Sequence, residues 1–233
     1  SCLLCVCVRP EYTCVLCLLL SFVAHAPPEL YTLPLHDALP ISTPVNLNKK
    51  SADELAALKA AGLTLLYVGL ESGSDDILKR VRKGSSRAME SALKKADDAG
   101  LKVSATVILG LGGKGLWREH IEQTAALVNR QPPHYLSTLQ LGLDADQERH
   151  FKDAFSTRGG VFEWQDDAGV LAEQALLLEL LNPPRPVIFR SNHASNCLAL
   201  AGTLPKDGAR LVGQVRAAQE SMDMLRPRAQ RSF

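Results

Sequence analysis

The chain is poor in aromatic residues, in net charge and, past its first 42 residues, in cysteine. Aromatics make up 5% of the 233 residues and the formal net charge is +1. A near-neutral chain presents no basic field to nucleic acid or to an anionic membrane surface. The apolar stretches 15–23 and 172–181 fall short of the ~20 residues that a spanning helix needs. Five of the six cysteines, Cys2, Cys5, Cys7, Cys14 and Cys17, crowd the first segment, and only Cys197 follows. From residue 43 onward this leaves no disulfide pattern, so a cytoplasmic location is expected.

The first 42 residues differ from the rest. Their formal charges are Arg9, Glu11, Glu29 and Asp37 alone. Residues 15–23 followed by Ala24-His25-Ala26 have the pattern of a secretory signal. The closely spaced cysteines invite a metal site, but the residues between them are Leu and Val, and orienting polar partners are missing. A third reading accounts for the segment best: residues 31–42, YTLPLHDALPIS, resemble a translated sequencing-library adapter. On that reading 1–42 is a non-native leader with no part in the fold.

Residues 43–143 read as alternating helix and strand. Ser51 with Glu54 forms a capping box, and Leu55 and Leu58 follow at helical spacing up to Gly62. Residues 65–70 carry no charge, so both faces seek burial, as in a parallel strand. Glu71 falls at the C-terminal end of that strand, where ligands bind in open α/β sheets and barrels. The small Gly69, Ser72, Gly73 and Ser74 would let a ligand lie against the backbone. Ser85 or Ser86 caps a helix that ends at Gly100. Strands are expected near 64–70, 102–109 and 135–141, separated by helices, which implies right-handed parallel crossovers. The sequences before Gly62 and Gly100 echo one another as successive βα units. Three such units suggest half of a barrel. None of the strands ends in the lysine that a Schiff-base aldolase or isomerase would want.

Three motifs in order carry a family resemblance: Gly69-Leu70-Glu71-Ser72-Gly73-Ser74-Asp75, then Leu78-Lys79-Arg80-Val81-Arg82-Lys83-Gly84, then Val107-Ile108-Leu109-Gly110-Leu111-Gly112-Gly113. Together they resemble the second half of the radical S-adenosylmethionine (radical SAM) core barrel. The resemblance implies an incomplete (β/α) barrel with S-adenosylmethionine (SAM) and a 4Fe-4S cluster at its C-terminal mouth. It implies reductive cleavage of SAM to a 5′-deoxyadenosyl radical, with an external electron donor. By the same resemblance Glu71, with Ser72 beside it, reaches SAM's ribose or methionyl part. Lys83 pairs with its carboxylate, Thr106 stands at a ribose position, and Ile108 and Gly110 pack on adenine. The family's Cys-x-x-x-Cys-x-x-Cys loop and Gly-Gly-Glu motif are absent from this sequence. No metal ligand is therefore assigned. The chain is expected to be an inactive fragment of such an enzyme, its substrate unknown, or a non-catalytic SAM-binding or scaffolding remnant.

Residues 144–233 are expected to form a mainly helical extension packed on the barrel. They include a helical link at 144–155, an apolar helix at 172–181, a strand at 186–190, an amphipathic helix at 207–225 and a frayed basic end. The strand leads into Ser191-Asn192-His193-Ala194-Ser195-Asn196, which resembles the tail of one branch of radical SAM proteins. Arg190 is suited to an anionic group and His193 to proton transfer near neutral pH. These two are the catalytic candidates. A loop held by its own Ser and Asn side chains is the other reading.

Overall fold

The computed structural model describes residues 41–232. The signal-like run, the five early cysteines and the adapter-like string as far as residue 40 lie outside the described residues.

In chain order the elements are β1 (Ile41–Ser42), α1 (Pro44–Lys49), α2 (Ala52–Ala60), β2 (Leu65–Glu71), α3 (Asp75–Arg80), α4 (Ser86–Asp98), β3 (Lys102–Leu109), α5 (Gly113–Arg130), β4 (Tyr135–Gln140), α6 (Ala145–Ser156), α7 (Asp167–Leu180), β5 (Val187–Ser191), β6 (Leu200–Leu204) and α8 (Gly208–Glu220). One sheet takes the strands in sequence order. β1 to β5 are parallel, and β6 returns antiparallel to β5. This mostly parallel α/β sheet is consistent with part of a radical SAM barrel.

Local chemistry sets most boundaries. Ser51 accepts from the Glu54 amide while Glu54 accepts from the Ser51 amide, closing the expected capping box. Gly62 and Gly100 end α2 and α4 in the left-handed region, at φ 101° and 68°. Ser85, Asp144 and Asp166 cap α4, α6 and α7.

The C-terminal region carries helices and sheet strands together, one strand lying close to that expected at 186–190. It contributes α6, α7 and α8, but also β5 and β6, which continue the sheet. β6 escaped the sequence because Ala201 and Gly202 carry none of the β-branched or aromatic signal of a strand. β1 likewise reaches into the 1–42 segment, with Ile41 and Ser42 opposite Tyr67 and Val68. The last helix ends at Glu220, short of the expected 225. The basic end is not frayed over the described residues. Arg231 makes a bidentate pair with Asp167 at 2.7 and 2.9 Å, and its side chain is only 3% exposed. That pairing holds the Asp167 carboxyl below its usual range. Arg226 donates to the carbonyls of His193 and Ala194.

Strand alternation divides the core. Leu66, Val68 and Leu70 of β2, Val103, Ala105 and Val107 of β3, Leu136 of β4 and Phe189 of β5 face the helices in the main cluster. On the opposite face a smaller cluster joins Ile108, Leu139 and Leu141 to Phe151 and Phe155 of α6 and to Phe162. Their rings meet edge to face, with centroids 4.8 Å apart for Phe151–Phe162 and 5.1 Å for Phe155–Phe162.

Pairing of β4 with β5 ends at Ser137 opposite Arg190. Beyond it, Asn196 takes the place of a strand. Its Nδ2 donates to the Thr138 carbonyl at 2.7 Å and to Ser191 Oγ at 2.9 Å, and its Oδ1 accepts from the Gln140 amide at 2.7 Å. Asn196→Ala strips two buried backbone groups of these partners, each worth ~1–3 kcal/mol. Urea denaturation should show a loss of about 2–5 kcal/mol; a loss indistinguishable from zero would refute the capping role.

Candidate functional site

The site starts from a break in the β2–β3 ladder. Gly69 lies opposite Thr106 and Glu71 opposite Val107, so the register shifts between them. Glu71 adopts φ 61°, a left-handed conformation that costs a non-glycine residue roughly 1–3 kcal/mol. Its carboxylate folds back over Gly69: a Cβ there would stand 2.6 Å from Oε1, so only glycine leaves the space. Lys83, from the turn between α3 and α4, brings Nζ to 3.3 Å from Glu71 Oε1. Both side chains are partly exposed, so the pair adds at most ~1 kcal/mol of stability. Its significance is positional. Thr106, half-buried, points to the same side of the sheet as Gly69, its register partner. Glu71, Lys83 and Thr106 therefore share one partly open area at the strand ends.

The other expected cofactor contacts are placed differently. Ser72 is fully buried and turned toward α5. Its hydroxyl lies 2.8 Å from His120 Nδ1 and accepts from the Ser74 amide at 2.9 Å. His120 Nε2 lies 2.9 Å from the Ile108 carbonyl. A carbonyl can only accept, so Nε2 carries the proton and Nδ1 accepts from Ser72. Burial lowers the His120 pKa to about 4, keeping the ring neutral. The Gly73 amide donates to Thr124 Oγ1, and a Cβ on Gly73 would run into the Gln123 carbonyl. Residues 72–74 thus anchor the loop to α5.

Ile108 is on the same face of β3 as Thr106 but only 5% exposed, covered within the aromatic cluster. Arg80 fixes that cover. It donates to the carbonyls of Phe155 and Gly159 at 2.5 and 2.7 Å, and its guanidinium lies 4.7 Å from the Phe155 ring centroid. The Gly110 amide donates to Glu173 Oε2 at 2.6 Å. The two positions expected to pack on adenine are thus engaged within the chain. Glu71, Lys83 and Thr106 supply charged and hydroxyl groups of the kind that bond a carboxylate, an amine or a ribose hydroxyl, while Ile108 offers little exposed apolar surface to a base.

The C-terminal candidates stand apart from the Glu71–Lys83 pair. Arg190 is exposed on β5 and donates from Nη1 to the Phe189 carbonyl. His193 is half-buried in the following loop, with Nδ1 2.8 Å from Ser195 Oγ. Cys197 is buried, which raises its thiol pKa. Among the described residues no group of His, Cys, Asp and Glu could hold a metal ion. None of the described helices is long and apolar enough to cross a membrane.

His120, Arg80 and Glu173 escaped the sequence reading. Glu173 left a trace there, as an acid within the apolar run of α7. Fully buried, it accepts from Gly110 and from Gln165 Nε2 at 3.0 Å, and burial raises its pKa from 4.5 to about 7. Folding therefore favours the protonated form. That contribution is complete below about pH 4.5 and is lost as pH rises toward about 7, a change on the order of 3 kcal/mol. Glu173→Gln should flatten this part of the stability profile in denaturation series from pH 4.5 to 8; an unchanged slope would assign it to other groups.

Residues 36–128 match the family model of the Radical SAM superfamily. The match covers β1, β2 and β3 with Glu71, Lys83 and Thr106, and it begins inside the adapter-like string. No curated protein matches the chain. The match and the mostly parallel sheet support a radical SAM core domain over these residues, of an enzyme superfamily that uses SAM and a 4Fe-4S cluster.

Proposed function

We propose that the chain is the C-terminal part of a radical SAM enzyme and that it retains a partial SAM site without radical chemistry. Glu71, Lys83 and Thr106 form that partial site. Lys83 offers a point charge to SAM's carboxylate, while Glu71 orients the ammonium and accepts from a ribose hydroxyl or the methionyl amine. Thr106 adds a neutral hydrogen bond. The observation that carries this reading is the Glu71–Lys83 contact of 3.3 Å over Gly69.

The bound cluster supplies the electron that cleaves SAM in the family. This sequence has no three-cysteine loop to hold it, and Cys197, the one cysteine among the described residues, is buried. No radical step is therefore derived. In this reading 1–42 is foreign sequence where the first barrel half would stand, its last two residues pairing with β2 as an edge strand, 43–143 is the second half and 144–233 completes the sheet and its cover. The intact parent would be cytoplasmic and served by an electron donor. The second reading, a non-catalytic SAM-binding remnant, shares the same site and is favoured by the covered Ile108.

Calorimetric titration of the full chain with SAM, and its anaerobic reconstitution with iron and sulfide, test the proposal together. The expected result is weak SAM binding, reduced at least ~10-fold by Lys83→Ala, the equivalent of ~1.4 kcal/mol, with no stoichiometric 4Fe-4S absorption. SAM binding indifferent to Lys83 would overturn the site, and a stoichiometric cluster would overturn the inactivity.

A further inference from the structure

The sheet has two faces, and they treat their polar groups differently. Toward the helices and at the strand ends most polar side chains are bonded, Ser72 to His120, Asn196 to β4 and Gln174 to Ser191, with Thr138 Oγ1 the exception on β4. The opposite face of β2 to β5 carries Tyr67, Thr106, Tyr135, Ser137 and Arg190, all partly or fully exposed. Among the described residues, none of those four hydroxyls has a hydrogen-bond partner and Arg190 has no acidic partner. Register places them in two lines across the strands. Tyr67 and Tyr135 flank Ser104 in one. In the other, Gly69 beneath the Glu71 carboxylate leads to Thr106, Ser137 and Arg190 in turn.

We infer that this face is a substrate-binding surface for a polar acid, with the carboxylate or phosphate held by Arg190 and hydrogen-bonding groups along Ser137 and Thr106. The inference rests on the reading of Glu71 and Lys83 as the SAM end of the same mouth. An uncompensated guanidinium offers a planar fork of donors that matches a carboxylate or a phosphate in bidentate fashion. The Ser137 hydroxyl next to it, and that of Thr106 one strand further toward the SAM end, donate or accept as needed. Neighbouring strands lie about 4.8 Å apart, so Arg190 is roughly 10 Å from Thr106 across the sheet. A molecule anchored at Arg190 would therefore extend several bonds before reaching the SAM end. That geometry favours an elongated hydroxylated acid over a compact or wholly apolar substrate.

The test uses the full chain labelled with ¹⁵N and titrated with inorganic phosphate and, separately, succinate. The expected result is a saturable shift of the Arg190 Nε–Hε resonance and the Ser137 amide. Arg190→Ala should weaken binding at least tenfold, with Arg190→Lys between the two. A preference for succinate assigns a carboxylic acid and a preference for phosphate assigns a phosphate monoester. Titration with SAM is the separating arm: Arg190→Ala should leave SAM affinity unchanged, whereas Lys83→Ala should lower it. Anion binding that survives Arg190→Ala, or shifts confined to other arginines and lysines, would overturn the inference whether or not SAM binds.

Discussion

The hydrogen bond from His120 to the Ile108 carbonyl, continued through Ser72 to the Ser74 amide, fixes the end of β2 against the end of β3. A parallel sheet has a difficulty at its C-terminal ends, where neighbouring strands stop pairing at different residues and leave buried backbone groups without partners. An orphaned buried group costs ~1–3 kcal/mol, comparable to a sizeable share of a domain's net stability. Here three side chains from outside the strands meet that demand. His120 serves β3 where β2 departs, Glu173 serves the Gly110 amide just beyond β3, and Asn196 serves β4 where β5 departs.

The placement of the site follows from these caps. With residues 72–74 bound to α5, Glu71 is forced to turn back over Gly69, and its carboxylate meets Lys83 on the open side of the sheet. The left-handed conformation of Glu71 persists because both flanks are fixed, by the β2 ladder on one side and the Ser72 and Gly73 bonds on the other. The same economy of partners explains the contrast between the two ends of the mouth. At β2, polar groups remain partly exposed; over Ile108 and Leu139, α6 and Phe162 form a cover that Arg80 clamps through backbone carbonyls.

Much of this architecture is legible in the sequence. The uncharged run into Glu71, the capping box at Ser51 and the terminating Gly62 and Gly100 depend on local chemistry, and local patterns display them. What was hidden depends on contacts between distant segments. His120 lies on an apolar helix face, where a histidine looks like any other interruption, and its partners Ser72 and Ile108 come from two different strand ends. Arg226 and Arg231 read as a solvated tail because Asp167 and the 193–196 loop are remote in sequence. The bond from Ser72 to His120 was hidden for the same reason: the motif shows a small polar side chain but not the direction it faces. β6 has only Thr203 as a β-branched signal and forms through its pairing with β5.

Amide hydrogen exchange on a His120→Ala chain addresses the role of the strand-end bonds directly. The account predicts a loss of protection at Ser74 and Gly73 of roughly tenfold or more, ~1.4 kcal/mol, beyond that of amides in the middle of β3 such as Ala105. Protection lost equally at all three sites, or retained at Ser74, would contradict it.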